Sequence, residues 1–219
     1  MEGTFRDLAE PGLKVIETLR WEGELVRVER HMARAARTCA GLGYPFDASA
    51  ARAALEAAAC APVARMRLTV DAAGGLDVAC VPMDGAAPEV MRVALHPVWL
   101  EASDPYLPIK TTHRALYDQA LKARPEGVDE WLFANAQGVL CEGSFMNVFA
   151  RLRGEGDVLT SPVSAGLLPG VLREEMLETG RCREAEIRLD DLAEAEVWVG
   201  NSLRGLIRAE LVEATPLAV

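Results

Sequence analysis

The stretch from Tyr106 to Ala150, YLPIKTTHRALYDQALKARPEGVDEWLFANAQGVLCEGSFMNVFA, decides which fold we expect for this chain. It opens with an apolar, proline-containing approach that delivers Lys110. A short helix is predicted over 112–124, and a hairpin follows it. The second strand of that hairpin delivers a lone glutamate, Glu142, beside a glycine.

A lysine and a carboxylate brought into one dry site suit the cofactor pyridoxal phosphate (PLP). The amine forms a Schiff base with the aldehyde of PLP, and the carboxylate keeps the ring nitrogen protonated, so that the ring withdraws electrons. Residue types and spacing alone do not establish such a site, because most lysines and most hairpin glutamates lie in solvent. On that basis alone, two ordinary surface residues are the commoner outcome.

Three runs inside the stretch change this weighing: KTTHR at 110–114, DEWLF at 129–133 and GVLCEGSFMNVF at 138–149. Together they resemble the core signature of the fold-type IV PLP enzymes. That family includes branched-chain and D-amino-acid aminotransferases and aminodeoxychorismate lyase. The resemblance returns elsewhere and covers most of the chain. It implies that Lys110 is the Schiff-base lysine and that Glu142 is the partner of the ring nitrogen.

The first half of the chain is predicted to begin with a hairpin of strands 13–20 and 25–28, followed by an amphipathic helix over 29–43. The wording IETLRW in the first strand resembles the lyase branch of the family. In the family, the arginine of an H-x-x-R element at this place binds the cofactor phosphate, which assigns Arg34 to that role. His31 of the same element is predicted to be structural.

The remainder of the first half is predicted to complete a small α/β domain with a mostly antiparallel sheet. A helix over about 48–60 has Asp47 or Ser49 as its candidate N-cap. Strands are predicted over 64–70, 76–81 and 90–96.

Residues 161–173, SPVSAGLLPGVLR, are predicted to form a loop that opens into a helix ending near Gly180. Backbone amides at a helix N-terminus bind phosphate well. An ordinary capped helix explains the pattern equally well by geometry alone. The run GLLPGVLR resembles the phosphate-binding turn of the family, which implies that the amides of Val171 and Leu172 bind the cofactor phosphate.

The last motif is VWVGNSLRGLIR at 197–208. In the family a side-chain hydroxyl or amide in this loop completes the phosphate site, which makes Asn201, with Ser202 beside it, the candidate. The alternative is a plain turn, because Gly-Asn-Ser is good turn chemistry. Asn147, inside an apolar strand, is predicted to be a structural hydrogen-bonding residue.

The resemblance implies that a substrate amine releases Lys110, which then acts as general base at the amine-bearing carbon. Substrate carboxylates need cationic partners, and Arg20, Arg114 and Arg204 are the candidates. For each of them a solvated surface arginine is an equally good explanation. Thr18 is a candidate for placing a proton on the leaving group.

The wordings IETLRW and NSLRGL favour a 4-amino-4-deoxychorismate lyase, which releases pyruvate and p-aminobenzoate in the folate pathway. The alternative within the family is a branched-chain or D-amino-acid aminotransferase. Ala115, five residues after Lys110, weakens the branched-chain alternative, because those enzymes carry a tyrosine there. Outside these enzymes, the alternatives are an inactive PLP-binding scaffold and a PLP-free α+β binding domain.

The resemblance also implies a fold and an assembly. The fold is mixed α/β (α+β) in two domains, with the cofactor in the cleft between them. A small N-terminal α/β sandwich is expected over 1–100, a linker over 101–109 and a C-terminal pseudo-barrel over 110–219. A homodimer with the site near its interface is expected as well.

Composition restricts the partners. Among 219 residues the formal net charge is -10, which argues against a nucleic-acid partner or an anionic membrane surface, since both need a basic patch. A small anionic amine substrate needs only a local positive cluster. No stretch is long enough to span a bilayer, and residues 1–7 contain no apolar signal region.

The five cysteines are scattered, odd in number and never spaced C-x-x-C, which predicts reduced thiols and a cytoplasmic location. The three histidines lie far apart in the sequence, so no metal site is predicted.

Overall fold

The structure, a computed structural model, describes residues 6–83, 87–154 and 156–213. Contacts divide the chain into two compact units. The first comprises Met1–Ala86 with Ile109–His113, and the second comprises Ala87–Pro108 with Arg114–Val219. Among the described residues, no helix combines the length and apolar character that a membrane crossing requires.

The first unit is an antiparallel sheet of three strands in the order β1-β2-β3 together with two α-helices. Buried and less buried residues alternate along β2, as a half-buried strand requires. The elements are a 3-10 turn Arg6–Leu8, strands β1 Val15–Glu22, β2 Val63–Val70 and β3 Leu76–Pro82, and helices α1 Val28–Leu42 and α2 Ala48–Ala57.

Both predicted helices of the first unit are present, and their ends follow from single residues. Helix α1 ends at Gly43, whose φ of 76° lies in the left-handed region that glycine adopts without strain. Helix α2 begins after Asp47, whose carboxylate accepts from the amides of Ser49 and Ala50. Of the two cap candidates, the structure therefore selects Asp47.

The predicted second strand over 25–28 is wrong. Leu25 makes only an isolated bridge to Trp21, and α1 already begins at Val28. Arg27 between them has a φ of 57°, so the backbone turns away from a strand path before the helix starts. Strand β1 pairs instead with β2, from Val15 opposite Val70 to Glu22 opposite Val63.

The second unit is an eight-stranded sheet in the order β10-β11-β4-β5-β6-β7-β8-β9. An additional pairing of β10 with β7 closes six of these strands into a ring, which is the barrel-like sheet that the family resemblance implied. The strands are β4 Val90–Leu95, β5 Glu130–Ala134, β6 Leu140–Gly143, β7 Asn147–Arg151, β8 Leu159–Thr160, β9 Arg183–Glu184, β10 Glu196–Asn201 and β11 Gly205–Leu211.

Two α-helices accompany this sheet, α3 Ala115–Lys122 and α4 Val171–Glu178, with 3-10 helices at Val163–Ala165 and Leu189–Glu194. One apolar cluster joins the strands of the ring through fully buried side chains, among them Val93, Leu132, Leu140, Val148 and Val199. The second unit therefore has its own hydrophobic core.

The boundary between the two units differs from the predicted one, which ended the first domain at residue 100 and the linker at residue 109. Strand β4 pairs in parallel with β11 and β5, so the strand predicted at 90–96 belongs to the second unit. Residues Ile109–His113 belong to the first unit because they run along β1. The amide of Ile16 donates to the Lys110 carbonyl at 2.8 Å, and the amide of Thr112 donates to the Lys14 carbonyl at 2.9 Å.

The prediction that all cysteines are reduced is wrong. Cys60 and Cys80 form a disulfide with their Cα atoms 6.0 Å apart. Two cysteines 20 residues apart gave no sequence signal, because only the packing of β3 beside the end of α2 brings them together. The argument from reduced thiols to a cytoplasmic location does not hold for this pair. Cys39, Cys141 and Cys182 are free and buried.

Candidate active site

Glu142 lies near the end of β6, is buried, and receives hydrogen bonds from two neutral donors. The Tyr117 hydroxyl donates to Oε1 at 2.6 Å, and the Leu168 amide donates to Oε2 at 3.0 Å. Burial, followed by the charge of Glu142, raises the pKa of Tyr117 well above its ordinary range, so the phenol keeps its proton.

Tyr117 is a residue of this site that the sequence reasoning missed. It lies on α3, three residues after Arg114, and the Arg114 guanidinium stands 5.6 Å from the centre of its ring. The Phe133 ring packs edge-on against it at 5.2 Å. The only sequence signal was the three-residue spacing, which places Arg114 and Tyr117 on one face of a helix.

The turn between β6 and β7 is held by three side chains from different elements. Arg114 Nη2 donates to the Ser144 carbonyl at 3.0 Å, and Asn201 Nδ2 donates to the Phe145 carbonyl at 3.2 Å. Glu130 Oε1 accepts from the Ser144 amide at 3.1 Å. Two predicted site residues, Arg114 and Asn201, thus meet the strand pair that carries Glu142.

Asn147, on strand β7, binds the segment that precedes α4. Its Nδ2 donates to the Leu168 carbonyl at 2.8 Å, which confirms the prediction of a structural hydrogen bond. A Cβ atom at Gly170 would lie 2.0 Å from Asn147 Oδ1, so a side chain there is excluded. Glu142 and Asn147 therefore hold the same segment from two sides, one through the Leu168 amide and the other through its carbonyl.

Val171 and Leu172 are the first two residues of α4, as the predicted phosphate turn requires. Their side chains are buried, and the N-cap Gly170 has no side chain that could satisfy the first amides. Backbone donors at a helix N-terminus, combined with the helix dipole, suit an anionic ligand. The arrangement therefore fits a phosphate group.

Asn201 caps a turn, which was the alternative predicted for this loop beside a role in phosphate binding. Its Oδ1 accepts from the amides of Leu203 and Arg204, at 3.0 and 2.9 Å, while its Nδ2 donates to Phe145. Ser202 is buried beside it, and the Arg204 side chain is exposed. The loop is thus a well-ordered turn in contact with the β6–β7 turn.

Four predicted residues lie in the first unit: Thr18, Arg20, Arg34 and Lys110. Lys110 is half-buried, and its carbonyl accepts from the Ile16 amide at 2.8 Å. Thr18 and Arg20 are two residues apart on β1 and so share one face of the strand. Arg20 Nε donates to Glu22 at 2.9 Å on that face.

A buried cluster of Glu17, His31 and Arg34 lies between β1 and α1. Arg34 donates to Glu17 through Nε at 2.9 Å and Nη2 at 2.7 Å, and His31 Nδ1 lies 2.6 Å from Glu17 Oε2. Burial opposes the charge of Glu17, but Arg34 and His31 outweigh it and lower its pKa to about 2. Burial lowers the pKa of His31, which favours the neutral imidazole. Because the ionised Glu17 can only accept a hydrogen bond, that imidazole donates to it from Nδ1.

The sequence reasoning missed Glu17, although it lies in the quoted IETLRW run. The structural role predicted for His31 agrees with its complete burial beside this carboxylate. The role of Arg34 in binding the cofactor phosphate stays a prediction. The structure adds that Glu17 orients the Arg34 guanidinium.

Glu130, from the DEWLF run, is a second buried carboxyl in the second unit. Its Oε1 accepts from the amides of Trp131 and Ser144, at 2.8 and 3.1 Å. Among the described residues, its Oε2 has no hydrogen-bond partner. Burial raises the pKa of Glu130 to about 7, against the opposing hydrogen bonds from the amides of Ser144 and Trp131.

Because protonated Glu130 is favoured in the folded protein, its contribution to stability is complete below the unfolded pKa of 4.5 and is lost as the pH rises through about 7. The raised pKa corresponds to roughly 3 kcal/mol of unfolding free energy. Glu130→Gln should therefore flatten the pH dependence of stability between pH 4.5 and about 7, measured by urea unfolding. The exposed Glu126→Gln is the matched control and should keep the slope of the wild type. An unchanged slope in Glu130→Gln would refute this assignment.

The donor set of the second unit fits a PLP cofactor. A buried carboxylate such as that of Glu142 can accept the N–H of a protonated pyridine ring, and the α4 N-terminus suits the cofactor phosphate. The part of the chain that the structure describes holds no cluster of His, Cys, Asp or Glu fit for a metal ion.

Comparison with known proteins assigns the family. Residues 14–212 match the model of the amino-transferase class IV family. Over 209 residues the chain is 28% identical to a proposed aminodeoxychorismate lyase of Schizosaccharomyces pombe, covering 90% of this chain and 89% of that protein.

Solved structures agree with this match. A proposed amino-acid aminotransferase from Mesorhizobium loti is 38% identical and superposes with a TM-score of 0.86, over 91% of this chain and 100% of that one. The 4-amino-4-deoxychorismate lyase from Pseudomonas aeruginosa is 25% identical with a TM-score of 0.77, over 90% of this chain and 82% of that one. The predicted fold class is therefore confirmed. The chain belongs to the class IV aminotransferase family, whose members are PLP-dependent enzymes.

Proposed function

We propose that this protein is a PLP-dependent 4-amino-4-deoxychorismate lyase that releases pyruvate and p-aminobenzoate, a step towards folate. The observation that carries the proposal is the similarity to a proposed lyase over 90% of the chain, together with the IETLRW and NSLRGL wordings. The reaction breaks one carbon–oxygen bond of the substrate and makes its ring aromatic. Its atoms balance between one substrate and two products, so no second reactant is needed.

In this proposal PLP supplies an electron sink beside the amine-bearing carbon of the substrate. Lys110 holds the cofactor through its aldehyde and, once displaced, removes the proton from that carbon. Glu142, which accepts hydrogen bonds from Tyr117 and Leu168, is assigned to accept the ring N–H. Thr18 is the candidate for protonating the leaving enol oxygen.

The phosphate of the cofactor is assigned to the amides of Val171 and Leu172 at the start of α4, supported by Asn201 or Ser202 and by Arg34. The α4 terminus has the strongest structural support among these groups, because Gly170 leaves its amides uncapped by a side chain.

Substrate carboxylates are assigned to arginines, and the three candidates differ in their present contacts. Arg114 already donates to Asp118 and to the Ser144 carbonyl, which favours a positioning role over substrate binding. Arg20 is paired with the exposed Glu22, and Arg204 is exposed. A surface pair of this kind is weak, so Arg20 can exchange Glu22 for a substrate carboxylate at little cost.

A second candidate function is an amino-acid aminotransferase. It is favoured by the 38% identity with the Mesorhizobium loti protein, which exceeds the identity with either lyase. Both reactions share the first proton removal by Lys110. An aminotransferase then returns a proton to the cofactor side and requires a keto acid as acceptor, whereas a lyase does not.

The deciding measurement uses purified protein loaded with PLP, freshly prepared 4-amino-4-deoxychorismate and no keto acid. We expect pyruvate and p-aminobenzoate to appear in equal amounts over many turnovers. The same preparation, assayed with L- and D-amino acids plus 2-oxoglutarate, serves as the comparison. If the protein shows the visible absorption of bound PLP but releases neither product, the lyase proposal is wrong, and turnover in the second assay would establish the aminotransferase.

A further inference from the structure

Tyr117 reaches Glu142 from helix α3 and not from the strand pair that carries the glutamate. Its hydroxyl donates to Oε1 at 2.6 Å, the short distance expected for a hydrogen bond to a charged oxygen. The site already described uses Glu142 only through its charge. What keeps that charge in place has not been assigned to any residue.

The ring of Tyr117 cannot move away from Glu142 without breaking its packing on two sides. Phe133 lies directly opposite Glu142 on the paired strand and packs edge-on against the tyrosine ring. Arg114 covers the ring at 5.6 Å and also donates to the Ser144 carbonyl, two residues after the glutamate. The hydroxyl and the carboxylate are therefore held at a fixed separation by the same few groups.

A hydroxyl that donates to a carboxylate stabilises the ionised form of that carboxylate and lowers its affinity for a proton. Hydrogen bonds to charged groups are the strong ones, and loss of one changes an equilibrium by about 10- to 100-fold. Where Glu142 faces a protonated ring nitrogen, the two groups compete for one proton. Any donor to Glu142 therefore shifts that proton towards the ring.

We propose that Tyr117 is a positioning residue that keeps Glu142 ionised and so keeps the shared proton on the ring nitrogen of the cofactor. This inference rests on the proposed function for the cofactor itself, but its first half concerns only Tyr117 and Glu142. Arg114 contributes indirectly, because it holds both the tyrosine ring and the turn that follows Glu142.

The first test uses the protein without cofactor and the variant Tyr117→Phe. Phenylalanine keeps the ring contacts with Phe133 and Arg114, so the fold is retained. We expect the pKa of Glu142 to rise by about one to two units, since that is the same 10- to 100-fold change. It is measured from the carboxyl ¹³C resonance that disappears in Glu142→Gln.

Tyr44→Phe is the matched control, because Tyr44 is also a buried tyrosine whose hydroxyl donates, at 3.2 Å, to the neutral Leu13 carbonyl. This variant should leave the pKa of Glu142 unchanged. A Tyr117→Phe protein with the Glu142 pKa of the wild type would overturn the proposal.

The second test loads the same variants with PLP that carries ¹⁵N in its ring. We expect the ring resonance of Tyr117→Phe to move downfield, towards that of an unprotonated pyridine, while the Tyr44→Phe resonance stays in place. If the Glu142 pKa rises but the ring resonance does not move, Tyr117 acts on the carboxyl alone and the proposed role towards the cofactor is wrong. Failure of PLP to bind to the wild type would overturn the proposed function without touching the first test.

Discussion

Lys110→Ala should lower turnover by about 10³-fold or more, in whichever of the two assays the wild type is active. The expected reason is twofold: the variant has no amine to hold the cofactor aldehyde and no base to take the proton from the substrate. The chain contains only three lysines, Lys14, Lys110 and Lys122, so the covalent site can be read directly. After borohydride reduction of the PLP-loaded wild type, peptide mass spectrometry should find the cofactor on Lys110.

Lys122→Ala is the matched control, because Lys122 is exposed in the last turn of α3. It should keep the activity of the wild type within about twofold, as an exposed substitution usually does. Attachment of the cofactor to Lys14 or Lys122, or Lys110→Ala activity above about a tenth of that of the wild type, would contradict the assigned role.

Glu17→Gln should destabilise the protein by about 3–5 kcal/mol at neutral pH, because it removes the buried carboxylate charge that pairs with the Arg34 guanidinium. For a chain of this size, such a loss of unfolding free energy lowers the Tm by roughly 10 °C. The pKa of Glu17 is lowered to about 2, so this contribution is complete above its unfolded pKa of 4.5 and is lost as the pH falls through about 2. Unfolding by urea as a function of pH measures both effects.

Glu22→Gln provides the control for this prediction, because it removes a carboxylate from the same strand but from an exposed pair with Arg20. It should cost less than about 1 kcal/mol. The double variant Glu17→Leu, Arg34→Met should recover much of the lost stability, since an apolar pair can replace a buried ion pair. Equal effects of Glu17→Gln and Glu22→Gln would show that the buried cluster adds no stability.

Local signals in the sequence were sufficient for several elements. Apolar spacing predicted α1, and a glycine that tolerates a left-handed φ ended it at Gly43. The carboxylate of Asp47, one of the two predicted cap candidates, caps α2. These features depend on residues within a few positions of one another, which is the range over which sequence patterns act.

The candidate site was predictable only where a motif kept its residues close in the chain. Glu142 and Asn147 lie in one run; the structural hydrogen bond predicted for Asn147 is present, and the predicted role of Glu142 towards the cofactor stays a prediction. The Tyr117 contact escaped prediction because 25 residues separate the two partners, and nothing in the sequence specifies the angle at which α3 meets β6.

By itself, the sequence determined the family and the mixed α/β fold, and it predicted the lysine and the glutamate of the site, because all of these depend on contiguous motifs. The tertiary structure alone decided which residues distant in the sequence meet: Glu17 beside Arg34, Tyr117 beside Glu142, and Cys60 in a disulfide with Cys80. It also placed β4 in the closed sheet of the second unit. The physical reason is that hydrogen bonds and ion pairs depend on the separation and direction of atoms in space. Chain folding sets both, whereas the spacing of residues in the sequence does not.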